Sequence, residues 1–111
     1  MTAAPDTAPT NEEPEPAAMR RARLVVAYDG SGFHGFAEAD AQPTVLGTLR
    51  EAMERVLRVP LALTGAGRTD AGVHAWGQVV SGDLPATADL DNLRNRLNKL
   101  VGPAIAVRSV E

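Results

Sequence analysis

The sequence predicts an α+β domain whose elements follow the order β-α-β-β-α-β. Two segments have apolar residues at helical spacing, and each is preceded by a capping residue and followed by a proline. Four short runs rich in valine, leucine and isoleucine surround these helices. This order is the split arrangement of the ferredoxin-like kind, in which an antiparallel four-stranded sheet has both helices on one face. We expect the other face to be bare, open to a partner or to RNA.

The first half of the pattern contains a strand and a helix. Residues 23–28 have a β-branched centre and end at Asp29, which predicts a strand. Thr44 is the expected N-cap of the first helix, and Pro60 follows the helix. The apolar positions of this helix recur at helical spacing: Val45, Leu49, Met53, Val56 and Leu57.

The second half contains three strands and a helix. Residues 61–64 predict a short strand and residues 74–83 a longer one, with a turn of small residues between them. Asp89 or Asp91 is the expected N-cap of the second helix, which ends before Pro103. The apolar face of this helix is expected to consist of Leu93, Leu97, Leu100 and Val101, and the last strand of Ile105, Val107 and Val110.

The amino-terminal segment differs in composition from the rest of the 111 residues. Residues 1–19 are rich in proline, alanine and acidic residues, so we expect a disordered tail there and one folded domain at 20–111. The segment lacks the features of a signal peptide, and no apolar stretch is long enough to cross a bilayer. With no cysteine in the chain, these observations predict a cytoplasmic protein that does not contact a membrane.

The net charge of the chain hides a nearly neutral domain. The sequence has 11 basic and 14 acidic residues, a net charge of −3. Four of the acidic residues lie in the tail, which leaves 11 basic and 10 acidic residues in the domain. This balance gives no global signature of nucleic-acid binding, although it is compatible with a local basic stripe. The two histidines have no metal-ligand spacing, so we expect no metal site.

The most informative segment is the glycine-rich run, residues 65–75 (GAGRTDAGVHA), in which small residues surround one arginine and one carboxylate. Arg68 is an obvious partner for Asp70, because a nearby cation keeps a carboxylate ionised. Small residues also let a ligand approach the backbone closely, as at a reaction site. These residues alone leave open a structural alternative, a tight hairpin in which Gly67 and Gly72 have positive φ and Asp70 caps the turn.

Two other features have functional and structural interpretations. Residues 30–35 match G-x-G-x-x-G, but the dinucleotide fingerprint needs a helix to begin at those glycines, and the expected helix begins only after Thr44. We therefore expect a substrate-facing loop there. We expect Trp76 to pack against the protein rather than to stack on a base.

The glycine-rich run closely resembles the signature of the tRNA pseudouridine synthase A family. The resemblance covers about residues 22–110, the first half of the family's pattern. It includes the segments 28–36 (YDGSGFHGF), 44–47 (TVLG), 77–79 (GQV) and 105–108 (IAVR).

The resemblance implies isomerisation of uridine to pseudouridine at positions 38 to 40 of the tRNA anticodon stem-loop, with the base out of its stack and without metal or organic cofactor. Asp70 matches the family's catalytic aspartate, which attacks either the ribose C1′ or the uracil C6. Arg68 matches the arginine that holds this aspartate and helps to displace the base. The expected substrate-binding residues are Gly67, Thr69, Gly72 and His74. The complete protein is expected to form a homodimer.

The chain departs from the family pattern at several places. Phe36 stands where the family usually has tryptophan, Leu46 replaces a common glutamine, and residues 37–40 are acidic and expected to repel phosphate. The family's second half, which supplies the aromatic residue that stacks on the uracil, is not part of this sequence. We therefore expect a partial tRNA pseudouridine synthase that is inactive, or nearly so, by itself. The alternative is a non-catalytic RNA-binding or protein-interaction module with the same fold.

Overall fold

A computed structural model of the protein describes residues 18–38, 42–67 and 74–111. Four strands form one sheet in the order β2-β3-β1-β4, and every neighbouring pair is antiparallel. The elements are β1 (Met19–Tyr28), α1 (Val45–Leu57), β2 (Leu63–Gly65), β3 (Ala75–Pro85), α2 (Leu90–Val101) and β4 (Ile105–Val110). The predicted order of elements and the α+β fold class are confirmed. None of the helices in these described ranges is long and apolar enough to span a membrane.

The first strand is longer than the sequence predicts. It begins at Met19 because this residue pairs with Pro85 at the end of β3, and Arg20 pairs with Leu84. Met19 therefore belongs to the sheet and not to the predicted disordered tail. The tail up to residue 17 lies outside the described residues.

One face of the sheet is buried beneath the helices. In β1, Ala22, Leu24, Val26 and Tyr28 are buried, whereas the residues between them are more exposed. This alternation is typical of an antiparallel strand with one face on the core. The helix residues in the core are Val45, Leu49 and Met53 of α1 and Leu93, Leu97 and Val101 of α2. Leu100 is 44% exposed. The prediction that it lies on the apolar face is therefore wrong. The buried residues of α2 are four positions apart, at Leu93, Leu97 and Val101, and Leu100 falls outside that spacing.

Both helices begin at the predicted type of capping residue. The Thr44 hydroxyl accepts a hydrogen bond from the Gly47 amide at 3.1 Å. The Asp89 carboxylate accepts one from the Asn92 amide, also at 3.1 Å. Asp89, and not Asp91, is therefore the N-cap of α2.

Two β-bulges interrupt the sheet, one on each side of β1. Strand β3 has one extra residue opposite the step from Val26 to Tyr28. Strand β4 has one extra residue opposite the step from Val25 to Val26. A bulge changes which face the neighbouring side chains point to, because strict alternation stops at the extra residue.

Phe36 fixes the loop after β1 onto the sheet. Its side chain is buried, and its ring stacks on Tyr28 with 5.8 Å between the ring centroids. The ring also lies against Gly65, where an added Cβ atom would be 2.1 Å from Phe36 Cε2. Only glycine fits at position 65, so this contact locks the end of β2 to the loop.

Arg50 ties the same loop to α1. Its Nε atom lies 2.7 Å from Glu38 Oε2, and its Nη1 atom lies 2.8 Å from Glu54 Oε1. The other oxygen of Glu54 accepts a hydrogen bond from the Leu61 amide at 2.7 Å. Arg50 therefore offsets the charge of Glu38, which weakens the expected repulsion of phosphate by this loop. Asp40, the other acidic residue of the loop, lies outside the described residues.

We predict that Gly65→Ala destabilises the protein by about 1–3 kcal/mol, because the new methyl group would overlap the buried Phe36 ring. Urea unfolding followed by circular dichroism measures this change. Gly32→Ala is the matched control, since a Cβ atom at Gly32 would meet nothing within 4 Å. Equal stability of the two variants would contradict the tight contact.

Glu54 should make stability depend on pH. The hydrogen bond from the Leu61 amide, and then the charge of Arg50, lower the pKa of Glu54 below its ordinary value of 4.5. The stabilisation is therefore fully present above pH 4.5 and is lost as the pH falls through the lower pKa of the folded state.

Glu54→Gln should remove this part of the acid sensitivity, so the free energy of unfolding of the wild type should approach that of the variant on acidification. The pKa of Asp29 is also lowered, but Asp29 is present in both proteins and its contribution cancels in the difference. A constant difference between the two urea-unfolding curves across the acidic range would refute the assignment.

Candidate active site

The glycine-rich run connects β2 to β3, and only its ends are described. Gly65 is the last residue of β2, and Ala75 is the first residue of β3. The predicted site residues Gly67 and His74 are described and lie on either side of the central part. The other predicted site residues lie outside the described residues: Arg68, Thr69, Asp70 and Gly72.

The first flank of the run continues the pairing of β2 with β3. The Ala66 amide donates a hydrogen bond to the Val79 carbonyl at 2.8 Å. Gly67 does not have a positive φ, and a Cβ atom there would make an ordinary 3.5 Å contact with the Gln78 side chain. The hairpin alternative, in which Gly67 supplies a positive φ, is therefore wrong at this position.

His74 joins the second flank of the run to the end of β1. Its Nδ1 atom lies 2.9 Å from the Gly30 amide nitrogen, which donates a hydrogen bond to it. Half-exposed but held by this contact, His74 has a partner within the protein for one of its two ring nitrogens.

Asp29 lies beside this contact and caps the turn after β1. Its Oδ1 atom accepts hydrogen bonds from the Ser31 amide at 3.0 Å and the Ser31 hydroxyl at 2.7 Å, and it lies 3.1 Å from His74 Nδ1. The hydrogen bonds from the Ser31 amide and then from the Ser31 hydroxyl lower the pKa of Asp29. The carboxylate is therefore charged at neutral pH. Asp29 acts here as a turn residue that also faces His74.

A pocket of about 360 Å³ lies where β1 ends and β3 begins. Ala27 and Ala106, which are partners across β1 and β4, give it a floor with little side-chain bulk. Its walls include Asp29, His74, Trp76 and Pro103. Because the floor is apolar and the rim carries polar groups, the pocket suits a flat group that is apolar on its faces and polar at its edges.

Trp76 is 85% exposed, so the prediction that it packs against the protein is wrong. Strict alternation from the buried Val80 would place position 76 on the helix-covered face. The bulge in β3 adds one residue between Gln78 and Ala75, which turns Trp76 to the face of the sheet that neither described helix covers, here called the bare face. Gly77, a glycine inside the strand at this step, is the sequence signal that could have indicated the bulge.

Arg108 is a site residue that sequence reasoning missed. Its Nη1 atom donates a hydrogen bond to the Trp76 carbonyl at 3.1 Å, although β1 separates their two strands. The bulge in β4 lies beside Arg108, and Ala27 leaves space for the guanidinium to cross the sheet. This contact places a positive charge beside the backbone of Trp76, one of the residues that line the pocket.

The glycines after β1 do not form a dinucleotide site. Gly30 to Gly32 form a short 3₁₀ turn, and α1 begins only at Val45, so no helix N-terminus faces those glycines. The prediction that the fingerprint is accidental agrees with this geometry. Within the described ranges, no three histidine or carboxylate side chains lie close enough to hold a metal ion.

Comparison with known proteins identifies the relatives of the chain. No family model matches it. It is 48% identical over 94 residues to the tRNA pseudouridine synthase A of Cutibacterium acnes, a match that covers 83% of this chain and 34% of the relative. The identity is 46% over 94 residues with the protein of that name from Paramagnetospirillum magneticum, covering 84% of this chain and 37% of the relative. With the one from Brevibacillus brevis it is 43% over 93 residues, covering 84% and 38%.

These matches agree with the resemblance carried by the glycine-rich run. They cover most of this chain but a little over a third of each relative. The chain therefore belongs to the tRNA pseudouridine synthase A family and spans about a third of the length of the family members it matches.

Proposed function

We propose that the chain supplies the aspartate-bearing part of an enzyme that isomerises uridine to pseudouridine in the tRNA anticodon stem-loop. The observation that carries this proposal is the anchoring of the segment that contains Asp70. One end is fixed by the Ala66–Val79 hydrogen bond and the other by the His74–Gly30 hydrogen bond. The second anchor lies at the rim of the pocket on the bare sheet face. A reacting carboxylate needs such a fixed position relative to its substrate.

The proposed reaction requires a charged nucleophile and no change in oxidation state. Asp70, kept ionised by Arg68, attacks the ribose C1′ or the uracil C6. The bond between N1 and C1′ breaks, the uracil turns, and C5 forms a bond with C1′. The bond from Asp70 to C1′ or C6 breaks before the product leaves, so the carboxylate is regenerated. The proton on C5 leaves, and N1 gains a proton, so the product is an isomer of the substrate. This balance needs no redox cofactor.

The small residues around Asp70 leave room for a nucleotide that has left its stack. Gly67, Thr69 and Gly72 are proposed to lie against that nucleotide. The remaining part of the active site, and the contact that makes a homodimer, are proposed to come from sequence that this chain does not contain. The chain alone is therefore expected to be inactive or nearly so.

Activity should appear when the chain is combined with the part of the Cutibacterium acnes relative that it does not match. Because the C5 proton leaves during the reaction, tRNA carrying 5-tritiated uridine should release tritium to water. Asp70→Asn should abolish this release. Asp91→Asn, which changes an exposed carboxylate on α2, should leave it unchanged.

Tritium release by the combination that contains Asp70→Asn would refute the proposed role of Asp70 as the nucleophile. A folded combination that binds tRNA but never releases tritium would favour the non-catalytic RNA-binding module instead.

His74 is proposed to position the Asp70 segment through its bond to Gly30. His74→Asn keeps an acceptor for the Gly30 amide, whereas His74→Ala removes it. In the restored enzyme, the alanine variant should lower kcat roughly 10- to 100-fold with little change in KM, and the asparagine variant should recover most of the loss. Asn95→Ala, at an exposed position of α2, is the control. An equal rise of KM in both His74 variants would indicate direct substrate binding instead of positioning.

A further inference from the structure

We propose that Trp76 and Arg108 form a binding site for an unpaired RNA nucleotide, with the base stacked on the indole and the phosphate on the guanidinium. The choice of RNA as the ligand rests on the proposed function. The site itself is argued from the bare face of the sheet and from the two bulges beside β1.

The exposure of Trp76 is the first observation. This residue is the single tryptophan of the chain, and 85% of its surface is exposed beside the pocket. Trp76 lies in the bulge of β3, and the paired residues Ala75 and Gln78 on either side of the bulge hold its backbone in position. An exposed aromatic ring on a rigid strand is a ready platform for a base, because every base has a π face that can stack.

The available charge of Arg108 is the second observation. Arg21 and Arg23, on the same face, each pair with a carboxylate. In the part of the chain that the structure describes, no carboxylate pairs with Arg108, which is held by the Trp76 carbonyl. Its guanidinium therefore keeps donors for a phosphate oxygen close to the indole.

The shape of the pocket is the third observation. A cavity of about 360 Å³ is at the lower end of the range for small-ligand sites. The paired Ala27 and Ala106 leave a flat floor on which a ring can lie. Asp29 and His74 give the rim polar groups that can meet the edge of a base. A nucleotide can place its base on the apolar floor and its phosphate near the Arg108 guanidinium, whereas an apolar protein segment would place the charges of Asp29 and Arg108 against apolar atoms.

The intrinsic fluorescence of Trp76 tests this site directly, because no other tryptophan contributes to the signal. Titration of the chain with single-stranded oligouridylate at low salt should quench the fluorescence in a saturable way. Polyphosphate, which has charge but no base, should not quench it. Arg108→Gln should weaken the binding several-fold, and Arg96→Gln on α2 should leave it unchanged.

Anisotropy of a labelled oligouridylate measures binding when the tryptophan is replaced. Trp76→Leu should weaken binding by about 5-fold or more, the loss expected when one stacked base loses its aromatic partner. Trp76→Phe should retain most of the affinity. Because the side chain is exposed, both variants should keep the circular dichroism spectrum of the wild type.

Absence of quenching up to millimolar oligouridylate would overturn the proposal, as would equal quenching by polyphosphate. Burial of Trp76 by the complementing part of the relative, seen as a blue shift that prevents quenching by RNA, would also overturn it and would assign the face to a protein contact.

The proposed function and this site can be refuted independently of each other. If Trp76→Leu does not change tritium release and oligouridylate does not quench the fluorescence, the proposed function stands and the nucleotide site is refuted. If oligouridylate quenches the fluorescence but no combination of the chain with the complementing part releases tritium, the site stands and the proposed function is refuted.

Discussion

The change of register on both sides of β1 determines where the functional groups of this chain lie. Strand β1 pairs with β3 and β4, and each neighbour has one extra residue near the end of the shared ladder. Without the bulge in β3, position 76 would point toward the helices, where an indole would have to replace part of a packed core. The single sheet is therefore regular where it covers the core and irregular beside the pocket.

The glycine-rich run depends on this frame at both of its ends. At the start, Gly65 has no space for a side chain because the Phe36 ring lies against it, and that ring is itself stacked on Tyr28. At the end, His74 accepts a hydrogen bond from the backbone just after β1. Both contacts involve residues at the end of β1 or just after it. The two described ends of the run are therefore fixed, and the proposed role of Asp70 as a nucleophile calls for fixed ends of this kind.

The parts of the fold that depend on contacts between residues close in sequence could be predicted from the sequence. Thr44 and Asp89 cap their helices through bonds to amides three residues away, and the apolar spacing of both helices reports their buried faces. Met19 shows the limit of this reasoning, because its place in β1 depends on its pairing with Pro85, far away in sequence.

The same distinction explains what could not be predicted around the site. The family signature identified the glycine-rich run, and with it Asp70 and Arg68, as the place to examine. The exposure of Trp76 and its link to Arg108 depend on strand register, of which Gly77 inside β3 gives an indirect sign that does not identify the partners across the sheet. Arg50 pairs with Glu38 across the loop, so the charge of the acidic segment could not be judged from composition either.

The distribution of charge on the bare face constrains how this part of the protein can contribute to RNA binding. The domain is nearly neutral, and Arg21 and Arg23 are engaged with carboxylates. Binding driven by many phosphate contacts would depend steeply on salt, because each contact releases counterions. A site built on one indole and one available guanidinium would depend on salt only weakly and would gain most of its free energy from stacking. Under the proposed function, the general attraction for tRNA then comes from sequence outside this chain, and the proposed site at Trp76 and Arg108 contributes the stacking of one base.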